Sequence, residues 1–239
     1  MIKNCRRFMP YRRLPNTDSA RIRALKSAVD KAADTDFQEL LFSTGTLDEA
    51  KSVLTHFEHL SARYLQLYDT QVKAGKSFAG KTKNARMYIS HFIQVLYMCV
   101  MRSEIKEEQL ALYGLEKANM VVPDLTSNEQ LFEWGQKIID GERQRTSQGG
   151  VPVYNPSIAK VKVMFILFKE GYQNQRLHQK ATSRVLQEVA AYREKVDKII
   201  FEIWEEVEKH NNNLSSEKRL ARNREYGIVY YYRKGEIAE

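Results

Sequence analysis

The segment from Leu54 to Cys99 is matched, residue kind for residue kind and without a gap, 104 positions further along the chain. Leu54 corresponds to Ile158, Phe57 to Val161, Tyr64 to Phe168, Tyr68 to Tyr172 and Gln71 to Gln175. The match continues with Tyr88 and Tyr192, Phe92 and Val196, Val95 and Ile199, Leu96 and Ile200, and Cys99 and Ile203. A fixed offset between apolar positions is the signature of an internal repeat, in which one copy hides its apolar face against the other. The flanks echo it. Leu14-Pro15 with Ser19 precedes the first copy as Val122-Pro123 with Ser127 precedes the second, and Tyr113-Gly114 closes the first as Tyr226-Gly227 closes the second. Two repeats are expected, 1–113 and 114–239, packed as one compact unit.

Within each copy the apolar residues alternate by three and four, the period of a helix with one buried stripe. Ala50, Leu54, Phe57, Ser61, Tyr64 and Tyr68 form the first run, and Ala85, Tyr88, Phe92, Val95 and Cys99 resume it. Gly75 and Gly80 lie between them in a lysine-rich stretch, and glycine costs a helix about 1 kcal/mol relative to alanine. A turn there makes a helical hairpin. In the second copy Ile158, Val161, Phe165, Phe168 and Tyr172 are followed by Val185, Val189, Tyr192, Val196, Ile199, Ile203 and Val207, with no glycine or proline from Tyr172 to Asn211. By correspondence its turn falls at 179–184. The alternative is one unbroken helix on the order of 80 Å long. The fold class that follows is all-α: an internally duplicated helix-plus-long-hairpin unit, giving a four-helix up-and-down bundle with additional short helices. The pattern resembles that of uncharacterised bacterial all-helical proteins, and the resemblance implies helical structure and no particular activity.

Start signals punctuate the chain. Asn16–Ser19 offers N-cap oxygens, Thr35 with Gln38, Thr46 with Glu49 and Thr126 with Glu129 read as capping boxes, and Asn155-Pro156 opens the second long segment. The helix after Thr126 should bury Leu131, Trp134, Ile138 and Ile139. Ser215 caps a short basic helix. The tail from Ile228 to Tyr232 reads as extended, and is positioned to pair with the arm near residues 8–12.

The formal net charge is +8, which suits acidic partners such as nucleic acid or an anionic surface. Two cysteines are too few for a disulfide framework, the basic N-terminus lacks the apolar stretch of a secretory signal, and the run 87–101 is too short to span a membrane. A cytoplasmic protein without membrane contact is expected. His56 and His59 share a helix face but lack further ligands, so surface histidines are expected there rather than a metal pair. His91 reads as a partly buried, hydrogen-bonded histidine, and Cys99 as a small core residue. Glycine-rich phosphate loops and nucleophile motifs are lacking, so neither catalytic residue nor cofactor nor metal is expected.

What rises above background is basic and aromatic. The arm carries Arg6, Arg7, Arg12 and Arg13 with Tyr11. The C-terminal region carries Arg219, Arg222, Arg224 and Arg233 with Tyr230, Tyr231 and Tyr232. The first reading is a non-enzymatic helical interaction or scaffold protein with a protein partner, its arm and tail docked on the helices. The alternative is nucleic-acid binding by these arginines, with tyrosines stacking on bases.

Overall fold

The computed structural model describes residues 10–116 and 120–232. In chain order the elements are β1 (Tyr11–Arg12), α1 (Asp18–Ala33), a 3₁₀ turn (Phe37–Glu39), α2 (Thr44–Met101), a 3₁₀ helix (Glu107–Tyr113), α3 (Asn128–Ser147), α4 (Ile158–His210), a 3₁₀ turn (Asn211–Asn213), α5 (Ser216–Glu225) and β2 (Tyr230–Tyr231). Among the described residues the protein is all-α apart from one short ribbon, in which β1 pairs antiparallel with β2. The chain gathers into two compact units: the described residues of Met1–Gln66 with Ser183–Glu239, and Leu67–Thr182.

The hairpins are not formed. α2 runs through Gly75 and Gly80 for 58 residues, and α4 through 179–184 for 53. The four long helices that two hairpins would supply are therefore two. The reason is packing. Two glycines cost about 2 kcal/mol of helix propensity, comparable to what burying one large apolar side chain returns. Phe78 lies between them and stacks on Phe168 at 5.8 Å and Tyr172 at 6.1 Å. Gly171 makes room for it: a Cβ there would meet the Phe78 ring at 2.9 Å. In α4 nothing stops the helix, and the Thr182 hydroxyl returns its hydrogen bond to the His178 carbonyl at 3.0 Å.

The helix starts fall near, not on, the expected residues. Ser43 rather than Thr46 caps α2, its hydroxyl accepting from the Thr46 N–H at 3.0 Å. Ser127 with Gln130, not Thr126 with Glu129, forms the capping box of α3. Asn155–Pro156 is a cis peptide in the turn before α4, and the Ser157 hydroxyl accepts from Lys160 N–H at 3.4 Å. Thr35 and Gln38 form no capping box: only a 3₁₀ turn follows, with Asp36 at its N-cap position and Gln38 inside it. Thr17 caps α1 as the Asn16–Ser19 cluster suggests.

The unit Leu67–Thr182 has a core of Ile89, Phe92, Leu96, Leu131, Ile138, Val161 and Phe168, all fully buried. α3 reaches this core on Gly135, where a Cβ would come within 2.4 Å of the Phe165 ring. Trp134 and Ile139 are half-buried, because the buried stripe continues instead through Gly141, Glu142 and Arg145. Glu142 and Arg145 form an ion pair at 2.9 Å with side chains 0% and 2% exposed. Tyr113 donates to Glu142 and accepts from Arg145 Nε at 2.7 Å. The same pair holds the following loop: Val153 N–H donates to Glu142 at 3.0 Å, and Arg145 donates to the Val151 carbonyl at 2.8 Å. Burial first, and the neighbouring carboxylate second, raise the Tyr113 phenol well above its usual range, so it stays a donor.

The other unit centres on Phe57, Val196, Ile199, Ile203 and Trp204, all buried, with Phe57 stacked against Tyr192 at 6.3 Å. α1 lies on α4 through two reciprocal bidentate pairs. Arg21 holds Asp197, and Arg193 holds Asp18, every bond 2.8 Å. Two-pronged guanidinium–carboxylate pairs fix orientation as well as distance, so they set α1's rotation on α4.

Candidate anion-binding groove

The ribbon sorts its side chains by the period of a strand, alternate residues facing opposite ways. Arg12 and Tyr230 face inward. Arg12 bonds Glu205 and, at 2.7 Å, Glu208, and its guanidinium lies 4.9 Å over the Phe201 ring. The Tyr230 hydroxyl donates to Glu208 at 2.6 Å and accepts from Asn223 at 2.7 Å, and Asn223 in turn accepts from Asn211 at 2.8 Å. Asn211 and Asn223 are buried, so this chain of bonds clamps the ribbon to the end of α4 and to α5. Burial, with Glu208 second, pushes the Tyr230 hydroxyl up to about 12.

Tyr11, Arg13, Val229 and Tyr231 belong to the outward set, and all four are exposed. The ribbon borders a half-open groove of about 690 Å³, lined also by the chain entering α1, the face of α1, and the turn after α5. Gly227 sets its width. Its φ is +81°, and a Cβ there would approach the Ala24 carbonyl to 2.7 Å, so the turn lies directly against α1. Glycine is needed on both counts, since the left-handed conformation is costly for other residues.

Three arginines line this groove: Arg13 from the arm, Arg23 from α1 and Arg224 from the end of α5. All three are exposed. No carboxylate lines the groove among the described residues. The acids nearby in sequence are engaged elsewhere, Asp18 with Arg193 and Glu225 with Lys31. Among the described residues none of the three guanidiniums has an ion pair, whereas Arg12, Arg21 and Arg193 all do. Asn16, Thr17 and Ser27 add neutral polar groups. Such an arrangement attracts an anion and supplies planar donors to it.

The structure brings together Arg13 and Arg224 from the expected set. Arg12 is a docking residue. Arg219 is half-buried and donates to the Asn212 side chain at 3.3 Å. Arg222 is exposed on α5 and does not line the groove. Arg6, Arg7 and Arg233 lie outside the described residues, as does Cys5. Arg23 was not singled out from sequence. Its signal is faint: it follows Ala20 by three residues and precedes Ser27 by four, so it edges a stripe of small residues against which another segment can lie close.

The remaining candidates fall elsewhere. His56 and His59 are exposed, and the His56 ring sits 4.6 Å from that of Tyr192. His91 is exposed on α2 rather than partly buried, because it precedes the buried Phe92 by one helical position. Cys99 is half-buried, and burial raises its thiol. Among the described residues no group of three or more histidine, cysteine or acidic side chains is placed to hold a metal, and no helix is long and apolar enough to cross a membrane.

Compared with protein-family models, with curated proteins and with solved structures, the chain matches none.

Proposed function

We propose that the protein is a non-enzymatic helical interaction protein that holds an anionic partner in the groove formed by Arg13, Arg23 and Arg224. The observation that carries this reading is the convergence of three exposed arginines, from three separate segments, on a groove with no carboxylate among its described lining residues. Among the described residues these three arginines have no acid partner while Arg12, Arg21 and Arg193 do, which supports an anionic partner from outside the chain. A net charge of +8 favours the same encounter at long range. A cytoplasmic setting accords with the low cysteine count.

Duplication of repeats 1–113 and 114–239 is the origin we propose for the scaffold. Supporting it, His56 sits against Tyr192 and Lys160 lies 5.9 Å from the Tyr88 ring, and each residue of the first pair corresponds in the repeat to one of the second. Gly114 and Gly227, both with positive φ, end the corresponding short helices.

Long-chain inorganic polyphosphate is a suitable probe, because it offers phosphate charge without bases or protein shape. Wild-type protein should bind it with an affinity that falls steeply with salt. Reversing Arg13, Arg23 or Arg224 to glutamate should weaken binding by about tenfold or more, the effect of losing a charge-assisted contact worth about 1.5–3 kcal/mol. Arg143→Glu makes the same change in net charge at an exposed site that does not line the groove. Equal effects of Arg143→Glu and the groove variants would sink the assignment and leave only non-specific charge.

A further inference from the structure

Given the groove as an anion site, we infer that its ligand is a single-stranded nucleic acid, with Tyr11 and Tyr231 as the platform for its bases. The two tyrosines stand directly opposite each other across the ribbon. Their ring centroids are 6.3 Å apart and the ring planes are inclined by 35°. They remain 44% and 46% exposed. A cross-strand aromatic pair ordinarily contributes by covering a sheet. This ribbon is two residues per strand, and its inward face is already fixed by Arg12, Tyr230 and Glu208. The outward rings are therefore spare as anchors. They share their face with Arg13, and Tyr231 and Arg13 both line the groove.

The combination separates one polyanion from others. Phosphate charge alone needs only arginines. Unpaired bases add flat apolar faces, which stack on aromatic side chains and are tolerant of sequence because every base has such a face. In a duplex those faces are already stacked, and a ribbon this short has little to insert into a groove. An acidic protein segment would meet the arginines and gain little from the rings. DNA and RNA share the chemistry recognised here, phosphodiester with exposed bases, and differ by the 2′-hydroxyl.

The test is fluorescence anisotropy with four labelled ligands of equal length: oligo-dT, oligo-U, an abasic strand and a mixed-sequence duplex. Oligo-glutamate serves as a competitor. Wild-type protein should bind the single strands about tenfold or more tighter than the abasic strand or the duplex. The logarithmic salt slope should be near −2, from three arginines at about 0.7 each. Tyr11→Leu and Tyr231→Leu keep an apolar pair across the ribbon. Each should weaken single-strand binding by about 5- to 150-fold, the range for one base–aromatic stack, and leave the salt slope alone. Arg13→Glu or Arg224→Glu should flatten the slope. The abasic strand probes the same stacking with unaltered protein, so a poorly folded variant does not decide the matter. A preference for oligo-U over oligo-dT assigns RNA, the reverse assigns DNA, and equality assigns either strand; all three uphold the inference. Arginine-dependent binding of the abasic strand or the duplex as tight as that of oligo-dT and oligo-U, or full competition by oligo-glutamate, overturns the inference while the anion groove stands. Loss of polyphosphate binding together with all four ligands overturns both.

Discussion

Replacing Arg145 by methionine tests whether the buried cluster of α3 holds its unit together. The substitution keeps the length of the side chain and removes its charge and its donors. Lost are the bonds from Nε to Tyr113 at 2.7 Å and to Glu142 at 3.1 Å, those from Nη2 to Glu142 at 2.9 and 3.0 Å, and that from Nη2 to the Val151 carbonyl at 2.8 Å. Glu142 is left fully buried with the Tyr113 hydroxyl and the Val153 N–H, the latter at 3.0 Å. Removing one member of a buried ion pair costs about 3–5 kcal/mol, because the other charge stays without compensation. The two surviving hydrogen bonds place the expected loss near the lower end, about 3 kcal/mol. Glu142→Gln combined with Arg145→Met leaves no charge and keeps an acceptor for Val153, so the double variant should lose less than the single one. The readout is guanidinium unfolding by fluorine NMR of protein labelled with 5-fluorotryptophan. The two tryptophans belong to different units, Trp134 on α3 and Trp204 on α4, so each unit's transition is followed separately. A loss below about 1 kcal/mol at Trp134, or a double variant less stable than Arg145→Met, would refute the reasoning.

Two glycines give opposite expectations in the same titration. Gly135→Ala gains about 1 kcal/mol of helix propensity but drives a Cβ within 2.4 Å of Phe165 and 3.0 Å of Ile89, and overpacking costs about 1–3 kcal/mol, so a net loss on the order of 1 kcal/mol is expected. Gly80→Ala meets nothing within 4 Å and should stabilise by up to about 1 kcal/mol; a Gly135→Ala protein more stable than Gly80→Ala contradicts both placements. Tyr230 supplies a pH dependence. Its hydroxyl pKa is raised to about 12 in the folded protein against 10 for the free side chain, so its contribution is complete below pH 10 and disappears as pH rises through 12. The stability difference between wild type and Tyr230→Phe, followed at Trp204, should therefore shrink between pH 10 and 12, and a difference constant over that range removes Tyr230 from the clamp.

The core was legible because burial imposes a period. Phe57, Phe92, Phe168, Val196 and Ile199 sit at alternating spacings of three and four, and all are buried, while Glu205 on the opposite face is exposed. The ribbon was legible too, from a run of β-preferring residues facing a proline-bounded arm. The hairpins misled because a glycine's cost is local, whereas its compensation comes from residues distant in sequence: Phe78 gains its partners on α4 only in the folded chain. Glu142 and Arg145 were invisible for the converse reason. Polar residues interrupt an apolar pattern, and only the mutual geometry of Tyr113, Glu142 and Arg145 shows that they extend the buried stripe. In the groove, basic composition pointed to the arm and α5 but did not separate Arg12 from Arg13. Strand alternation does, turning one toward Glu208 and leaving the other exposed.

One of the two units is a single stretch of chain, Leu67–Thr182, and the other joins Met1–Gln66 to Ser183–Glu239. On the ribosome this difference becomes an order of events. The earlier part of the discontinuous unit leaves the exit tunnel while its partners are still unmade: Asp18 and Arg21 must wait for Arg193 and Asp197, Phe57 for Tyr192, and Arg12 for Glu205 and Glu208. At translation rates of about 5–20 residues per second, the wait is on the order of ten seconds. Throughout it, these N-terminal residues stand without those partners. The contiguous unit can close in the interval. The arginine groove, assembled from the arm, α1, the end of α5 and the residues after it, is completed only by these late residues, and no nascent chain short of Tyr231 presents it whole.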